Sequence, residues 1–306
     1  MGAPVSAIRI MFGAAAAIAA LAVLAQRAPA GSPAVAERPL AAGASIEWSP
    51  DADVEPVRYR AGDLSILIER VREKSGLAGP RLTLSEPGKA PAVLEGERAG
   101  LTFPSRITVL PWNKDGAAAV LLESYSGGAH CCTVVRAAVP DGAAFRIVDL
   151  GAYDGERLQR LPTDWDGDGA LDFFVTDDAF LYAFSSYAGS LPPPRILNIV
   201  AGKAVDVSAR PAFRPIFEQA MSEADKRCVE GENGHCAAYA AAAARLGDFD
   251  RAWAKVLKVH DPKARDWPSR CKVAETDEGC PEGEKLQASY PEALRAFLAE
   301  HGYIAR

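Results

Sequence analysis

Histidine is scarce in this chain of 306 residues: it has four, and no two lie at a zinc-binding spacing on one helix. No Gly-rich phosphate loop, nucleophile elbow or His-Glu zinc helix is present, so the common nucleotide, acyl-transfer and metalloprotease patterns find no support. Excess positive charge is missing too. The net charge of −6 and the pI near 5.4 carry no nucleic-acid footprint. Paired acids occur mainly in one short stretch, where a cation would hold them ionised and unsuited to acid catalysis.

That stretch is Asp164-Trp-Asp-Gly-Asp-Gly-Ala-Leu-Asp172. Three carboxylates alternate, a glycine follows, and a fourth carboxylate comes three residues later. Calcium takes six to eight oxygens at about 2.3–2.6 Å. In a tight loop, alternate residues turn inward, so Asp164, Asp166 and Asp168 can share one centre. Gly169 permits the sharp turn. The Ala170 carbonyl and the Asp172 carboxylate complete the expected shell, giving one calcium site. Without a cation, four carboxylates this close repel one another. A helix-loop-helix calcium site carries glutamate at the twelfth loop position; here that position is Val175. The loop instead enters Leu171–Thr176, a β-branched and aromatic run that reads as a strand.

A calcium loop that opens a strand resembles the FG-GAP or integrin-type repeat of β-propeller proteins, over about residues 112–199. Trp112-Asn-Lys-Asp-Gly and the apolar run after it align with Trp165-Asp-Gly-Asp-Gly and the run after that, about 50 residues on, the size of a propeller blade. In the first copy the ligand positions hold Pro111, Asn113, Asp115 and Ala119, so it is expected to keep the turn and bind no ion. A third copy is not found, and propellers need four to eight blades. A short meander or a small stack of sheets fits the length better than a closed ring.

The remaining chain divides by texture. Residues 1–30 read as a signal peptide: an early Arg9, an apolar alanine-rich run from Ile10 to Ala25, then small residues. An uncleaved anchor is the alternative. Residues 31–45 read as a flexible leader. Residues 46–212 form a β-rich domain. Its Leu64–Ile68 run alternates like a strand and also fits a helix face; the strand is preferred because the neighbouring segments are strand-like. Arg81–Leu84, Arg106–Leu110, Leu181–Phe184 and Arg195–Val200 read as strands, with Pro192–Pro194 forcing a loop.

Residues 213–306 form a small helical domain. Phe217 to Cys228 has helical spacing. Cys236–Leu246 is alanine-rich and stops at Gly247, with Asp248 capping the next helix, so that Gly247-Asp248 turns an αα-hairpin. This hairpin resembles a single tetratricopeptide or Sel1 unit. Ser289 and Glu292 form a capping box for a last helix whose inner face is Leu294, Phe297, Leu298 and His301.

Six cysteines in an exported chain imply an oxidising compartment. Cys228, Cys236, Cys271 and Cys280 are read as staples of the helical domain, with Cys228–Cys236 and Cys271–Cys280 the leading pairs. Cys131 and Cys132 are adjacent in Tyr125-Ser-Gly-Gly-Ala-His-Cys-Cys132. This motif resembles one found in uncharacterised exported bacterial proteins. Three readings stay open for it: a bond between the two neighbours, which requires a turn because neighbours in a strand face opposite ways; bridges to other cysteines, or buried thiols; and a redox or soft-metal site with His130.

The expected class is therefore α+β, a β-rich domain built on two propeller-blade-like repeats followed by a disulfide-stapled helical domain. Its expected setting is the periplasm or the exterior, with no membrane span after signal cleavage. The leading function is a non-enzymatic, calcium-binding module that meets an unknown protein or envelope component. A thiol or metal-handling protein centred on His130-Cys131-Cys132 and a hydrolase with dispersed residues are the alternatives.

Overall fold

A computed structural model describes residues 35–99, 103–113, 116–128, 131–155, 157–264, 267, 270–273 and 279–305. The expected signal peptide, His130 and Asp115 lie outside the described residues. From Val35 onward the chain forms one compact unit. It is α+β, with open, stacked sheets beside a set of helices.

The first sheet has the order β1-β3-β4-β5-β6, from Glu37–Pro39, Val57–Ala61, Leu64–Arg72, Ala78–Ser85 and Ala92–Glu95. The second has the order β10-β9-β8-β7-β2, from Ala144–Asp154, Cys131–Asp141, Ala118–Tyr125, Ser105–Pro111 and Ser45–Trp48. The third has the order β11-β12-β13, from Phe173–Thr176, Pro194–Val200 and Lys203–Asp206.

The second sheet is the middle layer. One face of it, with Ile107, Val109, Val120 and Leu122, packs on Leu64, Ile66, Ile68, Leu82 and Leu84 of the first sheet. The other, with Ala119, Leu121, Val135, Ala137 and Val148, packs on Leu171, Phe173, Val175 and Leu197 of the third. A strand covered on both faces cannot alternate apolar and polar, because water reaches neither side. This is why β8 reads Ala-Ala-Val-Leu-Leu and is buried almost throughout. At its far end, Glu123 is buried opposite Arg106 on β7. The guanidinium bonds both carboxylate oxygens, and Glu123 also accepts from the Leu158 N–H at 2.7 Å. A buried charge needs such a partner; here the pair pins the chain leaving β10 to the middle sheet.

Past the third sheet lie helices α1 (Arg214–Cys228), α2 (Asn233–Leu246), α3 (Phe249–Val259) and α4 (Tyr290–Glu300), and a short ladder of β14 (Arg270–Cys271) with β15 (Lys285–Leu286). Phe213 and Phe217 join Ile196 and Val207, seating α1 on the third sheet. Helix α2 is buried from Asn233 to Ala243. An alanine-rich helix can be central because its small side chains let neighbours approach closely. Cys228 bonds Cys236 and Cys271 bonds Cys280, tying the α1–α2 turn and the segment before α4. Cys131 bonds Cys132 at the start of β9. No described helix is long and apolar enough to cross a membrane.

Several expectations change. The leader is ordered from β1, which pairs parallel with β3, and Leu40 packs into the first core. Its small residues at 41–44 connect two edge strands, β1 and β2. Leu64–Ile68 is a strand as the alternation favoured, with alternate residues facing the middle sheet. Leu181–Phe184 is a turn after a 3-10 segment: Phe180 and Phe184 both leave the sheet for the helical core. Asp248 precedes α3 without a side-chain cap and binds Arg251 instead. His301 is exposed, while Tyr290 takes its place on the inner face of α4. The sheets hold five, five and three strands, and the two aligned segments sit in different sheets.

Candidate functional site

The acidic loop is closed at its base. Thr163 and Asp172 form an antiparallel bridge, with the Asp172 N–H donating to the Thr163 carbonyl at 2.8 Å. Aspartate, like asparagine, readily accepts from backbone N–H groups a few residues on, and the loop is folded by such bonds. Asp164 accepts from Gly167 at 2.8 Å and Gly169 at 3.1 Å. Asp166 accepts from Asp168, and Asp168 from Ala170 at 2.7 Å. Gly167 and Gly169 have φ of +77° and +90°, the left-handed region that costs glycine little.

Asp172 is fully buried. One of its oxygens accepts from the Trp165 N–H at 2.7 Å, the other from Asn198 Nδ2 at 2.6 Å. Asn198 stands on β12 and is also fully buried; its amide also bonds the Leu171 carbonyl, and its Oδ1 has no partner among the described residues. Oxygens of Asp164, Asp166 and Asp172 lie within 4.8 Å of one another. Ligands about 2.3–2.6 Å from one ion can be that far apart, so the donor set fits a hard cation.

Asp168 departs from the expected arrangement. It lies outside that trio and faces Arg210, whose Nη1 is 2.5 Å from Asp168 Oδ2 and 2.9 Å from Asp166 Oδ2. The Ala170 N–H, and after it the guanidinium, hold the Asp168 carboxyl below its ordinary value. Ala170 is placed in the loop, where its N–H serves Asp168.

The rim is aromatic. Trp165 is 51% exposed and meets Phe174 edge-on at 5.6 Å, while the Arg160 guanidinium lies 4.7 Å from the Phe174 ring centre. Phe174 in turn contacts Phe213 at the entry to α1. Sequence spacing found the four aspartates because three are consecutive alternates and the fourth follows within the same nine residues. It missed Asn198, Arg210 and Arg160, which reach the loop only through folding. The one local signal was an asparagine inside the apolar run Arg195–Val200.

At the second candidate, Cys131 is exposed and Cys132 half-buried. The Cys132 N–H donates to Ser126 Oγ at 3.0 Å, and Tyr125 Oη donates to the Gly128 carbonyl. A side chain at Gly128 would collide with the Cys131 carbonyl, so the close turn requires glycine. Bridges from this pair to the helical cysteines do not form, and no described cysteine is free.

The molecule is thus an α+β protein with three stacked sheets, a disulfide-stapled helical part and an acidic loop at the edge of the third sheet. Residues 214–302 match the sll0997 C-terminal domain family. The chain is 34% identical over 260 residues to the probable thylakoid lumen protein sll0997 of Synechocystis sp., covering 81% of this chain and 75% of that protein. It belongs to that protein's family. It is also 30% identical over 262 residues to the uncharacterised protein y4bJ of Sinorhizobium fredii, covering 82% of this chain but 41% of the relative. No solved structure matches.

Proposed function

We propose that this chain is an exported, non-enzymatic protein that holds one calcium ion in an FG-GAP-type loop and serves as a binding or structural module of the cell envelope. The observation that carries the reading is the convergence of Asp164, Asp166 and the buried Asp172 to within 4.8 Å. An ion there ties the loop to β11 through Asp172 and to β12 through Asn198. Helix α1 rests on the same two strands, so the ion would brace the support of the helical part. The relative named as a thylakoid lumen protein supports a setting across a membrane from the cytoplasm, as does the N-terminal apolar run followed by small residues.

Thermal unfolding in calcium and in chelator tests this. A bound ion stabilises by RT ln(1 + [L]/Kd), about 2.7 kcal/mol when free calcium is a hundredfold above Kd. Wild type should melt higher in calcium, and Asp166→Ala should lose most of that shift. Identical melting in calcium and chelator, with no ion retained by native mass spectrometry, would leave an ordinary Asp/Gly turn.

The thiol reading keeps one observation, the exposure of Cys131. A free-thiol assay on natively purified protein tests it: reactive thiols at Cys131 and Cys132 would favour it.

A further inference from the structure

Arg210 has no counterpart in the loop's own sequence pattern, yet among the described residues it makes the loop's ion pairs. Its Nη1 bridges Asp166 and Asp168, while Asp164 and Asp172 are bonded by backbone and amide donors. Four carboxylates within nine residues need positive charge nearby, and among the described residues Arg210 is the guanidinium ion-paired to them, while Arg160 lies on the aromatic rim. Asp166 is shared between two arrangements: with Asp164 and Asp172 it forms the cation-sized trio, and with Asp168 it holds Arg210. The buried side chain of Asn198 is directed onto Asp172 through its Nδ2, which makes Asp172 a fixed, desolvated member of the trio, and its Oδ1 is left without a partner among the described residues.

We infer that Arg210 is the resident counter-cation of this loop and competes with calcium for Asp166, so that the ion and the Arg210 bridge exclude one another. This inference rests on the calcium reading above and adds its regulation. A divalent ion on Asp166 repels a guanidinium hydrogen-bonded to the same carboxylate, and each draws on the same negative charge.

The position of Arg210 gives the exchange a consequence. Its N–H donates to the Val207 carbonyl and its own carbonyl accepts from Phe213, so it lies in the turn that carries the chain from β13 into α1. Calcium would free this side chain from the loop while the backbone turn stays. The entry to the helical part would then present an unpaired arginine only in the calcium-loaded state.

Calcium titration calorimetry and thermal melts of the full chain, as wild type, Arg210→Gln and Arg210→Lys, test the competition. Arg210→Gln should bind calcium about tenfold more tightly, the worth of one charge-assisted contact. It should also melt lower than wild type in chelator, so its calcium-induced shift should be the larger. Arg210→Lys, which keeps the charge without the planar fork, should fall between the two. A bridge with a purely structural role would lower the chelator melt without tightening calcium binding. Equal or weaker affinity in Arg210→Gln, with wild type still binding, overturns the competition and leaves the calcium reading standing. Binding by the variant alone supports the competition and overturns calcium loading of the native chain. Absence of binding in all three overturns both. Should Arg210→Gln fail to fold by circular dichroism, the same criteria apply to Arg210→Lys.

Discussion

Two segments of this chain begin almost alike and end differently. Trp112-Asn-Lys-Asp-Gly and Trp165-Asp-Gly-Asp-Gly each precede an apolar strand. The first joins β7 to β8, antiparallel neighbours in the middle sheet, where the Trp112 N–H reaches the Ala117 carbonyl and Asn113 Oδ1 accepts from Ala117. The second connects a segment pinned by Glu123 to a strand of another sheet, and carries the acidic trio. The strands also differ in what they bury. Ala119 aligns with Asp172 but lies in the core between sheets, whereas Asp172 faces Trp165 and Asn198. One sequence frame thus serves as a chain reversal where both neighbours share a sheet, and as a candidate ion loop where the chain changes layers.

The sharpest break in the comparison is Ala119→Asp. Ala119 is wholly buried among Leu121, Val135 and Phe173. A carboxylate there meets no donor, and the change should cost about 4 kcal/mol or prevent folding, as uncompensated buried charge does. Denaturant unfolding reads it. A stable variant that gains calcium binding would show the two copies to be interchangeable.

Removing the native carboxylate is expected to cost somewhat less. Asp172→Ala strips acceptors from Trp165 and Asn198 and should destabilise by about 3 kcal/mol even in chelator. Asn113→Ala, which removes one turn bond, should cost about 1 kcal/mol. Equal costs by urea melts would erase the distinction.

Acid should touch the second copy through Asp168. Its folded pKa lies below the ordinary value of 3.8, so its contribution is fully present above that value and is lost as the pH falls through the lower folded one. Wild type should therefore lead Asp168→Asn in chelator at neutral pH, with the curves converging in acid. The gap is expected to be small because the group is partly solvated. Parallel acid curves would remove Asp168 from the account.

The smallest effect on stability belongs to Trp165→Phe, expected within about 0.5 kcal/mol because the ring is half exposed. Its optical effect should be large. Terbium, which substitutes for calcium in oxygen sites, should luminesce through Trp165 in wild type and in Trp112→Phe, and lose that sensitisation in Trp165→Phe. Sensitisation through Trp112 instead would place the ion at the wrong copy.

Much of the molecule was legible in sequence because its signals are local. Alternation gave β4, punctuation by Gly247 ended α2, Ser289 and Glu292 capped α4, and consecutive alternate aspartates drew the loop. Leu181–Phe184 misled because an apolar run is the same signal whether it pairs in a sheet or feeds a helical core; Tyr182 in the left-handed region is part of a turn no pattern announced.

The sequence by itself determined which atoms the loop offers, since four carboxylates in nine residues follow from the order of the chain. The tertiary structure alone decided what they meet. Asn198 reaches Asp172 from β12, and Arg210 reaches Asp166 and Asp168 from beyond β13. Charge and hydrogen bonding act through space over a few ångströms, whereas spacing along the chain reports only on neighbours. A partner some 26 or 44 residues away is fixed by sheet register and layer stacking, and by nothing that can be read at the loop.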